Sequence, residues 1–335
     1  MSFTVQIAKS GHSFTVEDGE TIIDAALRQN IGLPYGCRNG VCGSCEAKLI
    51  SGEVSYPDDQ PKPSTEGRCL PCQGMPASDL VLDVREVEKA AEIEVKLLPT
   101  RVAHVEHMAH DVIRIHLKLP DNQRMQFLAG QYLDFVLSDG RHRSFSIANA
   151  PHDDEFIELH IRHVDGGAFT DWAFSKMQEK SILRIEAPLG TFTLDEGSDR
   201  PMIFVGGGTG FAPLKGQIEH AFHEGVERPM YLYWGVRSRR DLYLPDLPEQ
   251  WVKDHPNFKY VPVLSEPDND WDGRSGWVHE AVVADHVELS GFDVYMAGPP
   301  PMIIAARDAF GAAGLSAEHM FYDSFDYATD GKPKD

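Results

Sequence analysis

The residues best suited to metal or redox chemistry are five cysteines, all within the first quarter of a 335-residue chain. Cys37, Cys42 and Cys45 stand in YGCRNGVCGSC, and Cys69 and Cys72 in GRCLPCQGMP. Two metal readings compete for them. The pairs Cys42-x2-Cys45 and Cys69-x2-Cys72 make a zinc-ribbon pattern, which leaves Cys37 idle. The spacing Cys37-x4-Cys42-x2-Cys45 with a distant fourth cysteine is that of a [2Fe–2S] site. Gly36, Gly40 and Gly43 favour the second reading. A loop that wraps a small anionic cluster and turns N–H groups toward its sulfurs needs glycine's backbone freedom. Reduced structural thiols are the bland third reading. Spacing alone leaves the fourth ligand open between Cys69 and Cys72.

Further along, RHRSFSIAN carries Arg143, Ser144, Phe145 and Ser146, and GGAFT carries Gly167 and Thr170. A guanidinium fork and a helix N-terminus both suit phosphate. FVGGGTGFAPLKG places Gly207, Gly208, Thr209 and Gly210 between a strand and a helix. It is not the G-x-G-x-x-G fingerprint, because Phe211 stands where the last glycine would be. HVEHMAH spaces His104, His107 and His110 by three, without a cysteine or carboxylate pattern around them. We read that trio as satisfied or solvated side chains.

Taken in order, these motifs resemble the ferredoxin–NADP reductase family joined to an N-terminal plant-type [2Fe–2S] ferredoxin domain. PCQGMPASDLVL is similar to the ferredoxin segment that follows the last ligand, which implies Cys72 as that ligand and Cys69 as a buried neighbour. AGQYLDF resembles the family's PGQY strand, and RHRSFS its R-x-[YF]-S flavin signature. The resemblance implies FAD, with Arg143 on its diphosphate, Ser144 and Phe145 in the same site, and Ser146 as the catalytic hydroxyl near flavin N5. Gly167 and Thr170 take the position of the second phosphate site. The GGTG loop, and Gly298 and Pro299 in MAGPPPM, resemble the NAD(P)H site, with Ala297 where the family usually has cysteine. Phe325 in FYDSFDY is in place to cover the flavin. In YWGVRSRRDLY, Arg237, Arg239 and Arg240 could clamp a 2′-phosphate, whereas Asp241 opposes one. NADH is expected, with NADPH the alternative.

Elements must position these groups, and the texture of the chain divides into three. Residues 1–88 read as an α+β domain, β-grasp by resemblance. FTVQIA and HSFTVE form a strand pair, ETIIDAALRQN is a helix closed by Gly32, and EAKLISGEV and DLVLDV are strands. Residues 89–94 are a charged linker. Residues 95–198 alternate as DVIRIHLKL, QYLDFVL, FIELHIRHV and ILRIEAP, an antiparallel β-barrel. From residue 199 to 335 the strands PMIFV, MYLYWG, KYVPVL and DVYMAG alternate with helices, giving an α/β doubly wound parallel sheet.

The formal net charge of −21 argues against nucleic acid or anionic membrane as partner and suits docking to a basic patch on another protein. No apolar run approaches the roughly 18 residues of a membrane span, and no signal peptide opens the chain. A cytoplasmic location is expected. The resemblance is to reductase components of multicomponent oxygenases, and more closely to the CDP-6-deoxy-Δ3,4-glucoseen reductase group, which shares YGC..G.CGSC and RSFSIANAP. It implies electron flow from NADH through FAD and a [2Fe–2S] cluster to an oxygenase, a hydroxylase or a sugar dehydrase. A redox-sensing module without turnover and a free flavin reductase are the competing classes.

Overall fold

The computed structural model describes residues 2–58, 60–63 and 65–325. The chain divides into two compact units: Met1–Glu94 with Gly190–Phe192, and Val95–Leu189 with Thr193–Asp335.

In the first unit, β1 (Phe3–Ile7) and β2 (Ser13–Val16) form an antiparallel hairpin. Alternation sends Val5, Ile7, Phe14 and Val16 into the core. Helix α1 (Ile22–Arg28) starts at Thr21, whose Oγ1 accepts from the Asp24 N–H at 3.2 Å, and buries Ile22, Ile23, Ala25 and Ala26. It ends before Gly32, because Asn30 already takes a left-handed φ of 57°. The remaining strands are β3 (Ala47–Ser51), β4 (Val54–Ser55), β5 (Arg68–Cys69), β6 (Met75–Pro76) and β7 (Leu80–Asp83). The sheet runs β2-β1-β7-β3-β5, with β1 and β7 parallel. The stretch expected to be a plain linker contains one helical turn, α2 (Glu88–Ala91).

The second unit opens with β8 (Lys96–His107), β9 (Val112–Lys118), β10 (Tyr132–Val136), β11 (His142–Ser146) and β12 (Ile157–Arg162). Helix α3 (Ala168–Ser175) and β13 (Ile182–Leu189) follow. The antiparallel order is β11-β10-β13-β8-β9-β12, and the bridge Ile147↔Leu159 brings the two edges together into a barrel. Ile113, Ile115, Leu117, Leu133, Phe135, Leu159 and Ile161 fill it. Two of these strands were not expected. β8 is interrupted by Pro99 and carries two histidines of the HVEHMAH trio. Pro99 is tolerated because pairing with β9 begins only at Arg101, so no ladder bond is lost there. β11 is the RHRSFS motif itself, whose polar residues hide its period.

The chain then forms a parallel sheet. Its elements are β14 (Met202–Gly207), α4 (Phe211–His223), β15 (Met230–Val236), α5 (Asp246–Asp254), β16 (Phe258–Leu264), β17 (Arg274–Ser275), α6 (Val278–Asp285), β18 (Asp293–Gly298), α7 (Pro300–Ala312) and β19 (Met320–Ser324). The order β17-β16-β15-β14-β18-β19 puts the switch point between β14 and β18. Ligands of such sheets bind at the carboxyl ends of the strands at that point, where Gly207 and Gly298 lie. β14 and β18 are buried at every position, as strands covered on both faces should be.

Phe310, on α7, is fully buried in this core. Phe310→Ala is expected to cost about 3–5 kcal/mol, read as a lowered urea midpoint at unchanged slope. A loss below about 1 kcal/mol would contradict the packing described.

Candidate functional site

The cysteine loop leaves α1 and returns to β3, so the sheet edge and the helix fix its two ends. Within it Arg38, Gly40 and Gly43 all have positive φ, at 56°, 81° and 76°. A Cβ on Gly40 would also lie 2.9 Å from Gln73 Cγ, so glycine is needed there for space as well as for torsion. Backbone amides turn toward sulfur. Cys42 N–H donates to Cys37 Sγ at 3.4 Å, and Cys37 and Ser44 N–H both donate to Cys42 Sγ. Cys45 Sγ stands 3.1 Å from Cys72 Sγ.

The four sulfurs thus form two facing thiol pairs. The Cys37 thiol's hydrogen bond, against the opposing effect of burial, holds Cys42 down at about 6, and the Cys45 thiol likewise lowers Cys72. Cys69 differs. It lies on β5 opposite Ala47, fully buried, and burial pushes its thiol up to about 12. Four sulfurs with backbone amides aimed at them suit a soft, anionic metal cluster. Sequence reasoning passed over Gln73, whose Nε2 donates to Arg38 O at 2.6 Å and to Cys72 O at 2.9 Å. It ties the loop to the Cys72 segment.

On the barrel, β11 lies beside β10 and splits RSFS between two faces. Phe145 is half-buried against Phe135 and Phe169, with ring centroids 5.7 and 5.4 Å away. Arg143 is half-buried and donates from Nη1 to His142 O. Ser144 is exposed and donates to Asp134 Oδ1 at 2.5 Å, so its hydroxyl serves the strand pair. Ser146 is buried, and its Oγ donates to Asp323 Oδ2 at 3.4 Å. Thr170 is used locally too. Its Oγ1 contacts Val164 O and Gly167 O, both at 3.1 Å, and a Cβ on Gly167 would lie 2.7 Å from it. Gly167 and Thr170 therefore shape the start of α3, where the N-cap residue, Gly167, brings no side chain to the N-terminal amides. Those amides could hold a phosphate.

In the parallel sheet, Gly208–Gly210 form a 3-10 turn that runs straight into α4. A Cβ on Gly210 would lie 1.9 Å from Ala297 O, so the turn can approach β18 only with glycine there. Trp234 Nε1 donates to Gly208 O at 2.9 Å and stacks on Phe211, while Thr209 stays half-buried. Gly298 O accepts from Phe325 N–H at 2.9 Å, and Pro299 caps α7. Parallel pairing of β19 with β18 therefore brings Phe325 to the expected coenzyme loop and Asp323 to Ser146.

The arginine run is divided. Arg237, Arg239 and Arg240 are all exposed, and Arg239 sits over the Trp271 ring at 5.3 Å. Asp241 Oδ2 accepts from both the N–H and Oγ of Ser238, capping its own turn. Arg162 was missed by sequence reasoning. From the end of β12 its guanidinium reaches Gly208, where a Cβ would stand 2.8 Å from Nη1, and its Nε donates to Asp111 at 2.7 Å. That position suits a coenzyme diphosphate. The strand period could have flagged it, since 157, 159 and 161 point inward and 162 outward. The histidine trio is dispersed. His104 packs edge-on to His116, His107 on Phe174, and His110 approaches Asp111 and Asp241.

Three domain families match in the order of these sites: a 2Fe-2S iron-sulfur cluster binding domain over residues 5–77, an oxidoreductase FAD-binding domain over 99–194 and an oxidoreductase NAD-binding domain over 204–308. The chain is 40% identical over 328 residues to the CDP-6-deoxy-L-threo-D-glycero-4-hexulose-3-dehydrase reductase of Yersinia pestis, covering 97% of this chain and 99% of that one. It is 34% identical to the terephthalate 1,2-dioxygenase reductase component 1 of a Comamonas species, covering 97% and 98%. Among solved structures, the Amycolatopsis cytochrome P450 reductase GcoB superimposes with a TM-score of 0.78 at 32% identity, covering 96% and 98%. Each relative spans all three domains. The chain belongs to the ferredoxin–NADP reductase family, in its branch of electron-transfer reductases with an N-terminal [2Fe–2S] domain.

Proposed function

We propose that NADH is the working coenzyme, that electrons leave through the iron–sulfur domain, and that the residues above hold the three redox groups. Cys37, Cys42, Cys45 and Cys72 ligate the cluster. Arg143 and the α3 N-terminus hold the FAD diphosphate, with Phe145 at the flavin and Ser146 at its reacting edge. Gly207–Gly210 and Arg162 take the coenzyme diphosphate, Gly298 and Pro299 border the nicotinamide, and Phe325 covers the flavin face. When bound, FAD accepts a hydride as an electron pair and the [2Fe–2S] cluster passes electrons on singly.

The observation that carries the hydride site is the contact of Ser146 Oγ with Asp323 Oδ2 at 3.4 Å. It joins the end of the flavin strand to the end of β19, so the barrel and the parallel sheet share one crevice. Ser146 keeps its proton on Oγ, directed at Asp323 Oδ2, which accepts the hydrogen bond. Burial of Ser146 excludes water from that edge.

The acceptor is a separate protein, the terminal component of a multicomponent oxygenase or hydroxylase. The terephthalate dioxygenase reductase and the P450 reductase among the relatives support this. A sugar dehydrase is the second reading, favoured by the 40% identity to the hexulose-3-dehydrase reductase. The net charge of −21 supports docking to a basic patch. The deciding experiment is reconstitution of NADH-driven turnover with each purified acceptor class. Turnover with neither, together with slow bleaching of flavin by NADH, would favour a sensing role.

Cys72→Ser should lose the iron that wild-type protein carries, and Cys69→Ser should keep it, measured as iron per chain and visible absorbance. The reverse pattern would exchange the ligand assignment. The position of Arg239 over Trp271 and the bonds from Ser238 to Asp241 support a run that flanks the ribose rather than clamping a 2′-phosphate. NADH should therefore reduce the flavin at least as fast as NADPH in rapid mixing. A strong NADPH preference would show that the run binds a 2′-phosphate.

A further inference from the structure

The outward face of β12 carries three polar residues in alternation, Glu158, His160 and Arg162, and each meets a different segment of the coenzyme-binding sheet. Arg162 reaches Gly208 of the glycine loop. His160 Nδ1 lies 2.9 Å from Tyr243 OH, in the turn that follows Asp241. Glu158 Oε1 lies 3.4 Å from Lys215 Nζ on α4. Glu158 and His160 are buried, although nothing in the flavin or coenzyme motifs requires polar groups there. A buried polar group without a partner is costly, so such a set persists only where the partners hold one arrangement.

The donors and acceptors are matched along the whole line. Burial lowers His160 and keeps it neutral, so Nε2–H donates to Glu158 Oε1 at 2.8 Å while Nδ1 accepts from Tyr243 O–H. Burial also raises Tyr243 well above its usual range, which keeps that proton on oxygen. Burial works against charge on Glu158, but hydrogen bonds from His116 and His160 and the charge on Lys215 together outweigh it and hold the carboxyl below the usual range. Lys215 Nζ also donates to Glu219 Oε2 at 3.0 Å and to Ala148 O at 3.3 Å. Ala148 lies two residues after Ser146, in the same SFSIAN run. Beside it, a Cβ on Gly216 would stand 2.9 Å from Asn149 O, so α4 sits directly on the flavin strand's continuation.

We infer that Glu158 and Lys215 are positioning residues: their buried ion pair, extended by His160 and Tyr243, sets the register of the coenzyme-binding sheet on the flavin barrel and thereby the alignment of nicotinamide with flavin. α4 begins at the glycine loop, so a shift of Lys215 along Glu158 moves the diphosphate site by the same amount. Neither residue touches the reacting atoms. Their effect is on distance, to which hydride transfer is sensitive at the level of about an ångström.

The test uses the full chain with its cofactors. The double variant Glu158→Gln/Lys215→Met removes both charges of the pair and keeps side-chain volume, and Glu219, which loses its Lys215 partner, keeps contact with water at 26% exposure. Glu158→Gln alone, which retains hydrogen bonding, serves as the milder second variant. FAD and iron content, rapid-mixing flavin reduction by NADH, the long-wavelength charge-transfer absorbance of the NADH complex and amide hydrogen exchange of residues 146–150 and 157–160 are measured. The double variant should keep FAD, iron and, within about threefold, its KM for NADH. Flavin reduction should slow by about 10- to 100-fold, with a weakened charge-transfer band and faster exchange in both segments before NADH is added. Glu158→Gln should fall between it and wild type. Wild-type reduction rate and charge-transfer band in either folded variant would overturn the inference, even if exchange increased. The inference rests on NADH reducing the bound flavin. Failure of the wild-type protein to do so would count against that reading and not against the role of the pair.

Discussion

Hydride transfer requires donor and acceptor carbons and nitrogens to meet at about 3–3.5 Å, and in this chain the two partners are held by different folds. The barrel carries the flavin motif on β11. The parallel sheet carries the glycine loop at the switch point between β14 and β18. Everything in the second unit serves the meeting of those two edges. Gly210 lets the loop approach the Ala297 carbonyl, β19 returns Asp323 to Ser146, and the polar face of β12 fixes where α4 lies. Disturbing any one of these changes a distance at the crevice before it changes any chemistry.

The first unit is built for the opposite demand. An electron needs no contact of reacting atoms, only a site that changes little between oxidation states. A loop with three left-handed residues, amides turned onto sulfur and a glutamine bracing it to the Cys72 segment meets that demand through rigidity. The fifth thiol, Cys69, is set into the sheet opposite Ala47, where burial suppresses its ionisation. The two halves of the protein thus answer to two kinds of transfer, paired electrons in one and single electrons in the other.

Much of this was legible in the sequence because the relevant residues are local. The cysteine spacing, the RSFS strand and the GGTG turn each lie within about a dozen positions, and their residue types are dictated by torsion, phosphate or sulfur chemistry. The parallel sheet was also readable, since β14 and β18 are short continuous apolar runs with helices between. What escaped was non-local or disguised. β8 was hidden by its histidines and by Pro99, which is harmless only because β9 pairs with the later part of the strand. β19 was reduced to its terminal aromatic, so Asp323 went unnoticed. Ser144 and Thr170 were expected on cofactors because of their motif positions. Within the chain their hydroxyls engage Asp134 and the Val164–Gly167 turn, relations that no motif spacing conveys. Glu158, His160 and Lys215 belong to no motif, and only pairing across two folds shows them buried.

The central claim is that electrons enter as a pair at the flavin and leave singly through the cysteine loop. The direct measurement compares wild-type protein with a folded Cys42→Ser variant, each supplied with NADH and either ferricyanide or cytochrome c. The account predicts near wild-type ferricyanide reduction in both, because that small oxidant takes electrons at the flavin, and loss of most cytochrome c reduction in the variant. Full cytochrome c reduction by a folded variant lacking iron would contradict it and place the exit at the flavin.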